Sequence, residues 1–383
     1  MKVLMTADGV GGVWTYAVEL ARGLGPHGVE ILLATSGGPL SDGQRGEIAT
    51  LPHVRLVETR YKLEWMPDPW EDVAAFGRLL RDLAADFRPD VVHLNEFSHG
   101  ALGWDVPTLV VGHSCVSSWF ESVRGYAPGP VWDRYRKSVT RGLRAADLVA
   151  APTRFMLTAL ERHYGPFAGS RVLPNGYSPT TLPHPQRRRE PFVFAAGRWW
   201  DEAKNVAALG RIASRLLWPV RIAGLPAPDG SATALPENIE NLGRLGPEAM
   251  RERYARAAIY CLPARYEPFG LTPLEAACHG CALVLGDIPS LREVWGDAAA
   301  FVPPDDTDSL ADTLNRLIAD DEARDDLARR GRERAARFSR ERMARGYVEA
   351  YRELCGAATM SCHQSRSAVT AREGTGALPR GRG

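Results

Sequence analysis

The chain has little of what marks several protein classes. No stretch of its 383 residues approaches the roughly 18 apolar residues that a membrane-spanning helix needs. An excess of one charge is also missing: 47 Lys and Arg stand against 46 Asp and Glu, a net of +1, so no overall field gathers nucleic acid. Cysteine is sparse. Cys115, Cys261, Cys278, Cys281, Cys355 and Cys362 are scattered through a long chain, which fits reduced thiols in a cytoplasm better than a disulfide framework. The start, MKVLMTADG, has one early lysine and no long apolar core, so it reads as a buried strand and not as a secretory signal.

Short apolar runs separated by amphipathic stretches fill the chain. KVLMTA, EILLAT, VRLVE, DVVHL, PTLVVG and LVAAPT read as buried strands, with helical patterns such as 13–24 and 73–86 between them. FVFAAG, VRIAG, IYCLP, ALVLG and AAFVPP continue the alternation. Strand–helix alternation implies parallel sheets covered on both faces. The length and the proline- and charge-rich break "PTTLPHPQRRR" (Pro179–Arg189) divide it into two doubly wound α/β domains, 1–180 and 190–338. Ligands of such sheets sit at the carboxyl ends of strands, so two facing domains enclose a cleft. The apolar-spaced segment 339–356 reads as a final helix, and 357–383, without apolar periodicity, reads as a disordered tail.

Two loops suit anions. "ADGVGGVWTYAVELARGL" is strand, glycine loop, helix. Gly11 and Gly12 let a ligand approach the backbone, and the helix start offers free N–H groups. Its G-x-G-G spacing is not the dinucleotide fingerprint, no acid follows the second strand to hold a ribose, and no G-K-[ST] makes it a P-loop. In "FVFAAGRWWDEAKN", Arg198 and Lys204 follow a strand end, Lys204 where a helix is expected to start, and two cations there suit a diphosphate. Of Trp199 and Trp200, one is expected to pack and the other to stack on a base.

A third stretch, "YEPFGLTPLEAACHGC" (266–281), holds two glutamates eight positions apart. Thr272, Pro273 and Glu275 read as N-cap, first and third helical residues, a capping box for Glu275. Glu267 lies ahead of the helix, capping nothing and facing the cleft. Cys278 and Cys281 form a C-x-x-C without two further ligands at metal spacing, so no metal site is assigned. The D-x-D in "PDDTD" precedes an apolar period and reads as a helix cap.

Together these stretches resemble the retaining glycosyltransferases of family 4, which have the GT-B fold of two Rossmann-like domains facing across a cleft. "EPFGLTPLE" matches the family's E-x7-E motif. "GGVWTYAVELARGL" resembles its N-terminal loop and helix, "GRWWDEAKN" its phosphate site, "VLPNGY" its inter-domain stretch, and "VVGHS" places His113 beside the donor sugar. The resemblance implies hexose transfer from a nucleoside-diphosphate sugar of UDP-glucose or GDP-mannose type to a saccharide, lipid-linked or small-molecule hydroxyl. It implies no cofactor, no required metal and no nucleic-acid partner. Glu267 would contact the donor sugar and Glu275 the ribose. Arg198 and Lys204 would neutralise the diphosphate. Phe269, Gly270 and Leu271 would contact phosphate or sugar by backbone, and Gly11 and Gly12 would approach diphosphate and acceptor. His113 would bond the sugar or support the leaving group. The final helix would cross back to the first domain.

On the acceptor side, "WMPDPW" with Trp65 and the aromatic, basic segment 117–144 with Trp119 either line a saccharide groove or touch an anionic membrane at its cytoplasmic face; ordinary core and surface packing is the structural alternative. Competing readings are a sugar-nucleotide epimerase of the same architecture and a non-catalytic nucleotide-sugar-binding protein. Intact Glu267, Glu275, Arg198 and Lys204 weigh against the second.

Overall fold

The computed structural model describes residues 1–179, 189–224 and 238–373, with side chains as far as residue 358. Most of the expected break, 180–188, therefore lies outside the described residues. Strands that read as continuous apolar runs are buried on both faces, as a parallel sheet between helices requires: Val3 to Ala7 and Ile31 to Ser36 are buried throughout.

The first sheet contains β1 (Lys2–Asp8), β2 (Glu30–Ser36), β3 (Val54–Val57), β4 (Val91–Leu94), β5 (Thr108–Val111), β6 (Leu148–Ala151) and β7 (Ser170–Val172). Their order is β3-β2-β1-β4-β5-β6-β7, all parallel. The second contains β8 (Glu190–Ala196), β9 (Val220–Ala223), β10 (Ile239–Asn241), β11 (Ala257–Leu262), β12 (Ala282–Gly286) and β13 (Ala300–Val302), in the order β10-β9-β8-β11-β12-β13, again all parallel. Each sheet reverses direction of winding once, between β1 and β4 and between β8 and β11. Loops leaving the two strands at such a reversal diverge and leave a crevice, the natural ligand position in this architecture.

The helix Arg340–Glu373 returns to the first domain. Its Met343, Ala344, Tyr347, Val348, Ala350 and Tyr351 are buried in the core around β1 and the helix Gly12–Leu24. Arg340 Nε pairs with Glu19 Oε2 at 2.8 Å, fixing the point of return. The disorder expected from 357 is corrected over 357–373, which continue this helix. Four docked turns have already met the cost of nucleation, and after Gly356 neither glycine nor proline occurs until Gly374. Residues 374–383 lie outside the described residues.

Candidate functional site

At the first reversal point, β1 runs into Gly9–Gly12. Asp8 Oδ1 accepts the Val10 N–H at 3.0 Å, and Gln44 Nε2 donates to the Gly9 carbonyl at 3.0 Å, so the loop is held from both sides. Gly11 has φ +85°, a conformation that favours glycine, and a side chain there would meet nothing within 4 Å. The helix Gly12–Leu24 therefore starts uncapped by any side chain beside open space. A methyl group on Gly12 would stand 3.7 Å from Leu271 Cδ1, which places the glycine loop opposite the E-P-F-G-L stretch of the second domain.

At the second reversal point, the loops after β8 and β11 meet. Lys204 Nζ donates to Glu267 Oε2. Glu267, 8% exposed, also accepts the N–H of Gly270 at 3.0 Å and of Phe269 at 3.4 Å through Oε1, and its carbonyl accepts from Ser290 Oγ at 2.6 Å. Glu267 caps no helix, as expected, but its carboxylate is not free. It shapes the turn that launches the next helix.

That helix is Leu271–Cys278. Gly270 is its N-cap at φ 93°, ψ 65°, with no side-chain cap. The expected Thr272–Glu275 capping box does not form, because the left-handed glycine brings the chain into the helix earlier. Thr272 Oγ1 instead accepts from Tyr260 Oη at 2.8 Å. The first-turn N–H groups of Leu271 and Thr272 have no carbonyl four residues back within the helix.

Glu275 is thereby released from capping. Burial pushes its carboxyl up from an ordinary 4.5 to about 8, against a smaller lowering influence of the nearby Tyr254 hydroxyl, which itself falls outside hydrogen-bonding geometry and has no partner. A carboxyl whose folded pKa lies above its unfolded value binds more protons folded than unfolded between the two, so its contribution to stability falls as the pH rises from about 4.5 to about 8 and is constant above. Glu275→Gln is expected to lose this slope, so that the gap between variant and native urea midpoints widens in the variant's favour across that window. A constant gap would show that the carboxyl titrates normally.

Arg198 and Lys204 do not point the same way. Arg198 pairs with Asp201 at 2.8 Å and lies 4.7 Å from the ring centre of exposed Trp200, while Trp199 packs on the core. Lys204 is not at a helix start. It lies in a run of turns ahead of the helix Ala207–Ile212, because Asp201 Oδ1 takes the N–H of Ala203 at 3.1 Å and of Lys204 at 3.4 Å and Asn205 has φ 52°. Phe269 is buried edge-on to Phe338, and Leu271 packs between the two domain cores.

His113 follows β5, with its ring edge-on to Tyr16 (centroids 4.4 Å apart) and Nε2 2.8 Å from Asn95 Oδ1. Burial lowers its pKa to about 3. Trp65 is exposed. Trp119 meets Phe120 edge-on and lies under Arg124, and no ring contact joins the two tryptophans among the described residues. Burial pushes the Cys278 and Cys281 thiols up to about 12, and Cys281 Sγ donates to the Tyr254 carbonyl at 3.1 Å, a packing role. Asp306 caps the helix Thr307–Ala319 by accepting the Ser309 N–H at 2.9 Å.

Several site neighbours carried no signal in the sequence. Asp8, at the mouth of β1, has a carboxyl pushed up to about 7 by burial, with the Val10 N–H opposing and Glu96 adding to the rise. Thr153 Oγ1 donates to the Pro268 carbonyl at 2.8 Å, Ser118 Oγ and Tyr266 Oη lie 2.7 Å apart, and the Glu293 carboxylate accepts the N–H groups of Arg154 (2.6 Å) and Phe155 (2.9 Å). These contacts grip the Glu267 loop and its neighbours from the first domain.

Comparison with known proteins agrees with this fold. The family model described as Glycosyltransferase Family 4 matches residues 10–181, and that described as Glycosyl transferases group 1 matches 231–334, together well over half the chain. The chain belongs to the family 4 glycosyltransferases. Among relatives, the O-antigen chain mannosyltransferase B of Escherichia coli is 30% identical over 173 residues, 45% of this chain but only 40% of the relative. A D-inositol 3-phosphate glycosyltransferase of Xylanimonas cellulosilytica is 26% identical over 89% of this chain and 91% of its own. The GT-B fold of this family member is shared with sucrose-phosphate synthase from Thermosynechococcus elongatus (TM-score 0.77, 20% identity, 93% of this chain and 100% of that one). It is shared also with Anabaena HepE in complex with UDP-glucose (TM-score 0.72, 17% identity, 92% and 100%).

Proposed function

We propose that this chain transfers a hexose from a nucleoside-diphosphate sugar, of UDP-glucose or GDP-mannose type, to a hydroxyl of a saccharide, lipid-linked or small-molecule acceptor, with retention of configuration and without a divalent ion. The observation that carries the reading is the Lys204–Glu267 pair beside the open first turn of the helix Leu271–Cys278, opposite the Gly11–Gly12 loop. The names of the relatives, a mannosyltransferase and inositol 3-phosphate glycosyltransferases, and the UDP-glucose held by HepE support it.

Transfer must stabilise a departing diphosphate and a sugar that becomes cationic. Lys204, Arg198 turned from Asp201, and the N–H groups of Leu271 and Thr272 meet the diphosphate with fixed positive charge, the role a metal fills elsewhere. Glu275 accepts the two ribose hydroxyls, and these hydrogen bonds favour its ionised form against the burial that raises its pKa. Glu267 lies by the sugar, where its charge favours the cationic transition state. The leaving phosphate takes the acceptor proton on the same face, which retains the configuration. Inter-domain bonds from Thr153, Ser118 and Glu293 hold the halves together around the reacting atoms and limit water.

The acceptor enters from the first domain, past Trp65 and Trp119. The helix Asp133–Ala145, with Arg134, Arg136, Lys137, Arg141 and Arg144, and the neighbouring exposed Tyr126 and Val131, make a surface that suits an anionic bilayer carrying a lipid-linked acceptor. Among the described residues no helix is long and apolar enough to cross a membrane.

The test is binding. A sugar nucleotide at about 100 times its Kd is expected to stabilise the protein by about 2.7 kcal/mol, equally with and without EDTA. Absence of any shift with UDP-glucose and GDP-mannose, or its abolition by EDTA, would overturn the donor or the metal-free part of the reading.

A further inference from the structure

The sequence left two roles open for His113, bonding the sugar or supporting the leaving group. The hydrogen bonds around the ring decide between them. Asn95 lies just beyond β4, and its own N–H donates to Thr6 Oγ1 at 2.9 Å. Its side-chain Nδ2 is 2.6 Å from the Thr6 carbonyl. A carbonyl can only accept, so the nitrogen of the amide must face Thr6 and the oxygen must face His113. Oδ1 is 2.8 Å from His113 Nε2. An amide oxygen cannot donate, so Nε2 carries the proton. Among the described residues no hydrogen bond reaches Nδ1.

Nδ1 is then either a bare lone pair or, on a charged ring, a second donor. The surroundings favour the first. The ring faces the edge of Tyr16, whose hydroxyl is 3.2 Å from His93 Nε2, and His93 Nδ1 is 2.6 Å from Tyr351 Oη on the returning helix. Burial raises the Tyr16 phenol well above its usual value and lowers His93 to about 3, so both are uncharged at neutral pH, and among the described residues no carboxylate pairs with His113 to hold a second proton.

Resting on the donor-site reading above, we propose that Asn95 is a positioning residue that fixes His113 as a neutral ring protonated on Nε2, leaving Nδ1 as a hydrogen-bond acceptor for a hydroxyl of the transferred sugar. Such a ring offers the site no N–H. It cannot stabilise the anionic oxygens of a leaving diphosphate, which need donors, and it cannot act as a general acid. It selects instead for a donor sugar with a hydroxyl at that point, and a sugar lacking that hydroxyl leaves the lone pair buried and unmet.

The experiment uses the full chain labelled with nitrogen-15 histidine. His113 is assigned by the signal lost in His113→Gln. Two-bond proton–nitrogen spectra are expected to show one Nε2–H tautomer that does not titrate between about pH 6 and pH 8. Asn95→Ala is expected to give mixed tautomers. Asn95→Asp, isosteric and a safeguard should the alanine variant not fold, is expected to draw a second proton onto the ring. In both, kcat/KM with UDP-glucose or GDP-mannose falls about tenfold, one hydrogen bond's worth, while affinity for UDP or GDP without sugar is unchanged. An Nδ1–H or doubly protonated ring in the native protein, or a tautomer unmoved in the variants, overturns the assignment of Asn95. Equal loss of UDP or GDP affinity overturns the sugar contact. Should the native chain bind no sugar nucleotide, the donor reading and the sugar contact fall together, while the spectra still decide the tautomer.

Discussion

Lys204→Met is expected to lower the rate of glycosyl transfer by about 10²–10³-fold, the usual loss when one preorganised group that meets developing charge is removed. Of Lys204 and Arg198, Lys204 is the cation that meets the Glu267 carboxylate, whereas Arg198 is engaged by Asp201 and Trp200. Two effects combine in the variant. The diphosphate loses a point charge, and Glu267, 8% exposed, keeps its charge without its cation. A double-mutant cycle separates them. If the two side chains act as one unit, Lys204→Met in a Glu267→Gln background costs much less than in the native protein. Lys204→Arg restores charge with a planar, longer group and should recover activity only in part. Steady-state rates and melting temperatures on the set decide the matter. A Lys204→Met protein that folds and transfers at the native rate would place the diphosphate elsewhere.

What the sequence made legible follows from where each interaction is encoded. Parallel strands show as short, largely apolar runs, so eleven of the thirteen strands among the described residues could be read from composition and punctuation alone. Ser170–Val172 and Ile239–Asn241 could not. They are three-residue edge strands with exposed or half-buried side chains and carry no apolar period. The anion loops were legible because glycine and cations at strand ends are local patterns. The helix start at Leu271 was misread because Thr-Pro-x-Glu is a sound local cap signal, and only the left-handed Gly270, fixed by the Glu267 carboxylate, overrides it. The surroundings of His113 were illegible for another reason. Tyr16 meets His93 from 77 positions away, His93 meets Tyr351 from 258, and Ser118 meets Tyr266 from 148. No period or spacing in one chain announces such pairs. The helix that continues past 357 shows the same limit: its order comes from the four turns docked on the first domain, not from its own composition.

The two glutamates of the E-x7-E stretch are expected to fail in opposite ways when replaced. From the sequence, Glu275 would be a helix cap and Glu267 a free carboxylate, so that Glu275→Ala would be the destabilising change. The structure inverts this. Glu275 caps nothing and its carboxyl is held partly out of water at a cost, so Glu275→Gln should be at least as stable as native near neutral pH while its affinity for the nucleoside diphosphate drops. Glu267 accepts the N–H groups of Phe269 and Gly270 and the ammonium of Lys204. Glu267→Ala strands these donors and should cost about 1–3 kcal/mol of stability besides its effect on rate. An alanine variant alone would therefore confuse folding with chemistry. Glu267→Gln largely avoids that, because the amide oxygen can still accept the Gly270 N–H while the charge is gone, and the partly exposed Lys204 ammonium can turn from the amide NH2 toward water. Its melting temperature should stay close to native and its nucleoside-diphosphate affinity should hold, but its transfer rate per folded molecule should fall by about 10²-fold or more, since a charge beside a sugar that becomes cationic matters chiefly in the transition state. The measurement is the same trio on each variant: melting temperature, affinity for the nucleoside diphosphate, and transfer rate at saturating donor. A Glu267→Gln protein that turns over normally would make that carboxylate a purely structural device, one that shapes the Gly270 turn and anchors Lys204, and the electrostatic work at the sugar would then have to come from elsewhere in the cleft.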